Sequence, residues 1–188
     1  MPRIIALLCL LFLAGCVYVP SESHYATAVN EKQRIVSPRV LSFSVLPRYV
    51  SDNYWHASYS LTSEFGISEK NVVALRLAFD EAHRQLHVSG LDSAGRVVQE
   101  ELIALTTDIA PQKEKGQYTI TPEGTLITQS RNCTPDMSVA CQWWRKEIFL
   151  TSTGDLAVTA TETSAGMAFL VFPFYGKTRN IALFAPLG

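Results

Sequence analysis

Charge of one sign is what this chain conspicuously lacks. Sixteen Lys and Arg stand against 17 Asp and Glu, giving a formal net charge of -1 over 188 residues. The charges form no blocks, so the basic footprint of a nucleic-acid-binding protein is missing, and so is a polybasic run for lipid headgroups. Hydrophobic residues make up 47 % of the chain, which excludes the composition of a disordered protein. There is no internal repeat and no low-complexity tract. No apolar run reaches the roughly 18–20 residues of a transmembrane helix.

Catalytic signatures are equally scarce. No G-x-S-x-G elbow and no S-x-x-K constellation occurs. Gly176-Lys177-Thr178 has the ending of a P-loop, but the first glycine of that motif falls on Val171, so the phosphate cradle is missing. His83 and His87 are separated by Arg84-Gln85-Leu86, which lacks the Glu of a zinc-protease helix; we expect them on a polar strand face, with no metal. Glu100 and Glu101 are adjacent, so on a strand they point to opposite faces and cannot act as a carboxylate pair. The expectation is a non-enzymatic protein with no catalytic residue and no cofactor.

The N-terminus carries the most specific pattern. Arg3 precedes the apolar stretch Ile4 to Phe12, and Leu13-Ala14-Gly15-Cys16 follows. A basic flank, a short apolar core and small residues before a cut site make a secretory signal peptide. Leu13 to Cys16 resembles the lipobox of bacterial lipoproteins. The resemblance covers residues 1–16 only and implies removal of residues 1–15 and lipidation of Cys16. Each buried methylene contributes about 0.8 kcal/mol, so several acyl chains hold firmly. Val17, not Asp, follows the cysteine, which for a Gram-negative lipoprotein implies the outer membrane, facing the periplasm. Residues 16–33 then form the lipidated cysteine and a flexible tether spanning about 20–25 Å, with a short strand or helix docked on the domain as the alternative that Tyr25, Ala26, Ala28 and Val29 leave open.

With Cys9 in the signal peptide and Cys16 lipidated, Cys133 and Cys141 remain. Two thiols in an exported chain, at C-x7-C spacing and without His nearby, point to a structural disulfide rather than a redox or metal pair.

Residues 34–188 read as one mainly β domain, an antiparallel sandwich or small barrel. Leu41, Phe43 and Val45 alternate with serines; Trp55, Ala57, Tyr59 and Leu61 alternate with polar residues; Val73, Leu75, Leu77 and Phe79 form a third set. Residues 72–86 also fit helical spacing, but strand–turn–strand with a turn near Asp80-Glu81-Ala82 is preferred, because Leu86–Leu91, Asp92–Gly95 and Arg96–Val98 continue as a hairpin. Tyr118 and Ile120, the Pro122-Glu123-Gly124 turn, Leu126 and Ile127, Trp143–Thr151, the Ser152–Asp155 turn and Leu156–Thr163 extend the pattern. The threonine face of this last strand is expected to be wet. Met167–Phe172 reads as a strand buried on both faces, ended or bent by Pro173, and residues 169–175 as core, with an exposed apolar patch as the alternative. Asn180–Phe184 closes the domain.

Tyr54-Trp55 and Trp143-Trp144 are adjacent aromatics on expected strands, so each pair must split between faces. If one member fills the core, the other faces out, to meet a protein partner or stack on a sugar. Burial of both is the simpler reading. The sequence therefore supports an outer-membrane lipoprotein held by Cys16 and serving as an interaction or assembly module for an envelope protein partner, without nucleic acid. A glycan- or small-ligand-binding module using Tyr54, Trp55, Trp143 and Trp144 is the alternative.

Overall fold

A computed structural model describes residues 32–33, 40–51, 59–107, 118–134, 139–168 and 172–188. The protein is mainly β and forms a single domain. Its described strands are β1 (Lys32–Gln33), β2 (Val40–Ser44), β3 (Tyr49–Val50), β4 (Ala74–Asp80), β5 (Gln85–Leu91), β6 (Val97–Thr106), β7 (Tyr118–Ile120), β8 (Leu126–Thr134), β9 (Val139–Thr151), β10 (Leu156–Ala168), β11 (Phe172–Phe184) and β12 (Pro186–Leu187), and among the described residues there is one short helix, α1 (Leu61–Glu64). They make one sheet in the order β12-β2-β4-β5-β6-β7-β8-β9-β10-β11-β3, with β1 on β9.

The sheet coils around one core but does not close into a barrel. Only Ala185 separates β11 from β12, so the two ends of the sheet meet there: Ser44 N–H donates to the Ala185 carbonyl (3.0 Å) and Arg48 N–H to the Leu183 carbonyl (2.8 Å). Inside lie Phe43, Leu75, Leu77, Leu86, Val88, Leu126, Ile148, Leu150, Leu156, Val158 and Phe184, all buried. Period-two burial drives this, because alternate residues of each strand share a face. All pairings are antiparallel except β6 with β7, which run parallel through Leu105 and Tyr118, a departure from the all-antiparallel expectation.

Local chemistry explains the turns. Asp92 Oδ1 accepts from the Ala94 and Arg96 N–H groups, each at 2.9 Å, and Gly95 takes φ +74°, so the β5–β6 hairpin closes as expected. At residues 72–86 the hairpin reading holds: β4 and β5 pair from Ala74–Leu91 to Asp80–Gln85. Gly90 in β5 has a packing role. A Cβ there would lie 2.9 Å from Val72 Cγ2 and 3.2 Å from Ile67 Cγ2, so glycine lets the 67–72 segment lie against the sheet.

Several expectations need correction. Leu61 does not end a strand but starts α1, because the Ser60 side chain accepts from the Thr62 N–H and caps a helical turn. The rest of that expected strand, with Tyr54 and Trp55, lies outside the described residues. The threonine face of β10 is not uniformly wet: Thr159 is buried beside a second small cluster of Phe149, Ala157 and Leu183. The expected Met167–Phe172 strand is divided, because β10 ends at Ala168 and β11 begins at Phe172; Pro173 neither ends nor bends it but lies near the start of β11, opposite Met167. Among the described residues, the edge of β11 away from β10 is held at Leu183 and Ala182 by β3 and at Ile181 by Ser51, and a proline is tolerated at the beginning of a strand. Lys32 and Gln33, expected at the end of the tether, pair with Thr151 and Leu150.

Arg48 and Asp155 pin the seam between the sheet ends. Asp155 is 1 % exposed, and its Oδ2 accepts from the Arg48 guanidinium and from Thr153 Oγ1. Its Oδ1 has no hydrogen-bond partner, so the carboxylate depends on Arg48. The Arg48 side chain is 44 % exposed and can turn to water. The expected outcome is therefore asymmetric. Arg48→Ala strands a buried charge and lowers unfolding free energy by on the order of 3 kcal/mol, whereas Asp155→Asn costs about 1 kcal/mol. Urea titration of the two variants measures the difference.

Candidate functional site

The strands β9, β10 and β11 are 13 residues each and pair without a bulge along their length. Only their base lies in the core. Beyond it, residues 128–134 of β8, 139–147 of β9, 160–168 of β10 and 172–180 of β11 continue as a four-stranded flange. At about 3.3 Å per residue, it projects roughly 25–30 Å past the core.

The register sorts its side chains. One face continues the inner, core-lining side: Thr128, Lys146, Ala160 and Asn180 share a row, followed by Ser130, Trp144, Glu162 and Thr178, then Asn132, Gln142, Ser164 and Gly176. The opposite, outer face carries Gln129, Arg145, Thr161 and Arg179; then Arg131, Trp143, Thr163 and Lys177; then Cys133, Cys141, Ala165 and Tyr175. Four cations thus share the outer face, and among the described flange residues its one carboxylate is Glu147, at the base. The inner face is nearly neutral. No basic patch is visible in the sequence because these cations are far apart along the chain; only strand pairing gathers them. Their alternation, Arg131 with Cys133, Trp143 with Arg145 and Lys177 with Arg179, is the signal that was available.

Trp143 and Trp144 split between faces as expected, but neither fills the core. Trp143 is 37 % exposed on the outer face, with the Arg131 guanidinium 5.5 Å from its ring centroid. Trp144 is half-buried on the inner face. The expectation of a doubly buried 167–172 strand fails at Met167, which is exposed, as are Phe174 and Tyr175. The core has ended there, and no second layer covers the sheet at these positions among the described residues. Residues 169–171 lie outside the described residues, as do Cys16 and the expected signal peptide and lipobox.

Cys133 and Cys141 stand opposite each other in β8 and β9 and form a disulfide. It staples the flange near its free end, and Arg131 Nε donates to Cys133 Sγ at 3.2 Å.

Two polar clusters fix the flange to the body. On the inner side, Lys146 Nζ donates to both Glu64 oxygens, at 2.7 and 2.9 Å, and Tyr59 O–H to Oε1 at 2.9 Å. Burial, then the negative charge of Glu64, pushes the Tyr59 hydroxyl far above its ordinary value. Tyr118 is raised by the same two causes and donates to the Glu64 carbonyl. This cluster went unseen in the sequence, since Tyr59, Glu64, Tyr118 and Lys146 share no motif. Every group is paired, which makes it a structural clamp on α1. On the outer side, Lys32 Nζ reaches Glu147 at 2.7 Å and lies 4.5 Å from the Phe149 centroid. Arg145 also binds Glu147, at 2.8 Å.

His83 does not share a strand face with His87. It sits in the β4–β5 turn, its ring nitrogen 2.7 Å from Asp80 Oδ2, and His87 is exposed on β5. Glu100 and Glu101 do diverge: Glu101 accepts from Gln99 and Glu100 from Ser89. A cleft of about 470 Å3 opens at the other end of the sheet, lined by Phe79, Asp80, Glu81, Arg84, Leu105 and Ile120 among others. Arg84 takes φ +52° there, and its carbonyl accepts the Leu105 N–H at 2.8 Å. Among the described residues, no group of three or more His, Cys, Asp or Glu is placed to hold a metal ion, and no helix is long and apolar enough to cross a membrane.

A scan against protein-family models matches none, and searches of the curated proteins and of the solved structures return no match.

Burial raises the Glu147 carboxyl, but hydrogen bonds and charge from Lys32 and Arg145 outweigh it and hold it below the usual range. Its pairing is thus fully stabilising at neutral pH and is lost as pH falls through that lowered value. An NMR titration of its side-chain carboxyl should show a midpoint below that of an unperturbed glutamate, and Lys32→Ala should raise it. For the disulfide, loop-closure entropy gives about 2–3 kcal/mol. Because the loop sits far from the core, the Cys133→Ser, Cys141→Ser double variant should speed amide exchange across residues 130–134 and 139–144 while residues 156–158 and 182–184 stay protected.

Proposed function

We propose that this chain is a lipid-anchored lipoprotein of the bacterial envelope, held through Cys16 in the outer membrane and facing the periplasm. Its β domain is a non-enzymatic interaction or assembly module. The observation that carries the reading is the flange. Three 13-residue strands run on past the core and carry exposed aromatics, Trp143, Phe174 and Tyr175, which adds aromatic-bearing surface without adding core. A domain that only had to fold would end its strands where burial ends, since ordering each further residue costs about 1–2 kcal/mol of backbone entropy. The Leu13-Ala14-Gly15-Cys16 pattern supports the anchor.

A second reading, binding of a glycan or small ligand, draws on exposed Trp143 and on a cleft within the size range of ligand sites. The two separate experimentally. A clickable palmitate analogue fed to expressing cells should label the wild type and not Cys16→Ala, which should keep residues 1–15. Absence of label on the wild type removes the anchor. A photo-crosslinker at Trp143 or Thr178, on opposite flange faces, should capture a recurrent envelope partner, while one at Val98, exposed on β6, should not. Trp fluorescence that responds to a free glycan, with no crosslink at either flange position, would favour ligand binding instead.

A further inference from the structure

The outer face of the flange has an order along the strands that a generic polar surface does not. Nearest the tip are Met167 and Pro173, paired across β10 and β11, and Phe174 is exposed beside them on the inner face. The next outer row holds Tyr175, 53 % exposed, and the disulfide. Then come Lys177, Trp143 and Arg131, then Arg179 and Arg145. Same-face rows are about 7 Å apart, so apolar, aromatic and cationic groups succeed one another over about 20 Å. Lys177 and Arg179 have no ion-pair partner among the described residues.

We infer that this face, from Met167 and Tyr175 to Arg145 and Arg179, seats on an anionic lipid leaflet, with the tip in the interface and the cations at the headgroup phosphates. Tyr and Trp favour the interfacial level, and Lys and Arg near the surface gain from anionic lipid. Met167 and Phe174 present apolar side chains on opposite faces, whereas the cations lie on one, so the sheet tilts with its outer face toward the lipid. Insertion stops at the interface, because Lys177 and Arg179 follow Tyr175 within two rows and charged side chains do not enter hydrocarbon cheaply.

Charge selects this occupant over a second copy of the chain. Face-to-face pairing would set Arg131, Lys177 and Arg179 against their own copies. An acidic protein would meet the cations but leave Met167, Phe174 and Tyr175 unexplained. The inference rests on the lipoprotein reading only for which leaflet is met. Lys32, the described residue nearest the expected anchor, reaches over Phe149 and Glu147 on this same outer face, so anchor and face can engage one leaflet.

The test uses protein purified from membranes of expressing cells, with Trp55→Phe and Trp144→Phe leaving Trp143 as the sole tryptophan. It is reconstituted with neutral phosphatidylcholine vesicles or with vesicles containing phosphatidylglycerol, each carrying brominated acyl chains. Flotation reads the anchor; quenching of Trp143 reads the face. We expect flotation with both vesicles and at least about twofold stronger quenching with anionic lipid, lost in Lys177→Glu, Arg179→Glu and in 0.5 M salt, and retained in the inner-face control Thr178→Glu. Flotation with both but quenching equal in the two lipids, or unchanged by charge reversal, overturns the face and leaves the anchor. Flotation with anionic vesicles alone removes the anchor and supports the face. Flotation with neither overturns both.

Discussion

The backbone ladder that joins β9, β10 and β11 is the element on which the rest depends. It runs without a bulge from the Leu156–Leu150 and Leu156–Phe184 pairs out to Met167. A one-residue slip would turn every side chain over. At the base it would expel Ile148, Leu150, Val158 and Phe184 from the core. At the far end it would scatter the cations and part Cys133 from Cys141. The register of the exposed flange is therefore fixed by burial elsewhere. The hydrophobic base specifies the pairing, and the ladder transmits it to residues that bury little themselves.

That arrangement also explains where the tertiary fasteners sit. The inner side of the junction is held by Lys146 and Glu64 and the outer side by Lys32, Arg145 and Glu147. The seam of the coiled sheet is held by Arg48 and Asp155. Near the free end, where no core is available, a covalent bond joins β8 to β9. Each device lies where hydrophobic packing stops, and together they keep a long, thin sheet aligned with its body.

Most of the fold was legible because its physics is local. Phe43, Leu75, Leu77, Leu86 and Val88 announce a period-two core, and Asp92 with Gly95, and Gly154 before Asp155, announce turns. What escaped was non-local. The sequence pattern of Met167–Phe172 is that of a buried strand, and nothing within it shows that the core ended several residues earlier. The parallel β6–β7 contact and the Ser60-capped turn in an alternating stretch depend on the packing of distant segments. The candidate site escaped for the same reason. Arg131, Arg145, Lys177 and Arg179 are unremarkable singly, and their common face exists only through the sums of strand register.

The charges on the flange admit a simpler origin, and the geometry separates the two. Sheet edges are blunted by Lys, Arg and Pro to prevent edge-to-edge association, and Pro173, Lys177 and Arg179 lie on β11 and Arg131 on β8, which no further described strand flanks at these positions. Edge protection does not ask for a sided arrangement, since a cation on either face obstructs a docking strand. Arg145, on β9 between β8 and β10, is not an edge residue and is held by Glu147. The one-sidedness and the apolar rows toward the tip are left over after edge protection is granted. A planar anionic partner with an apolar layer beneath it accounts for both.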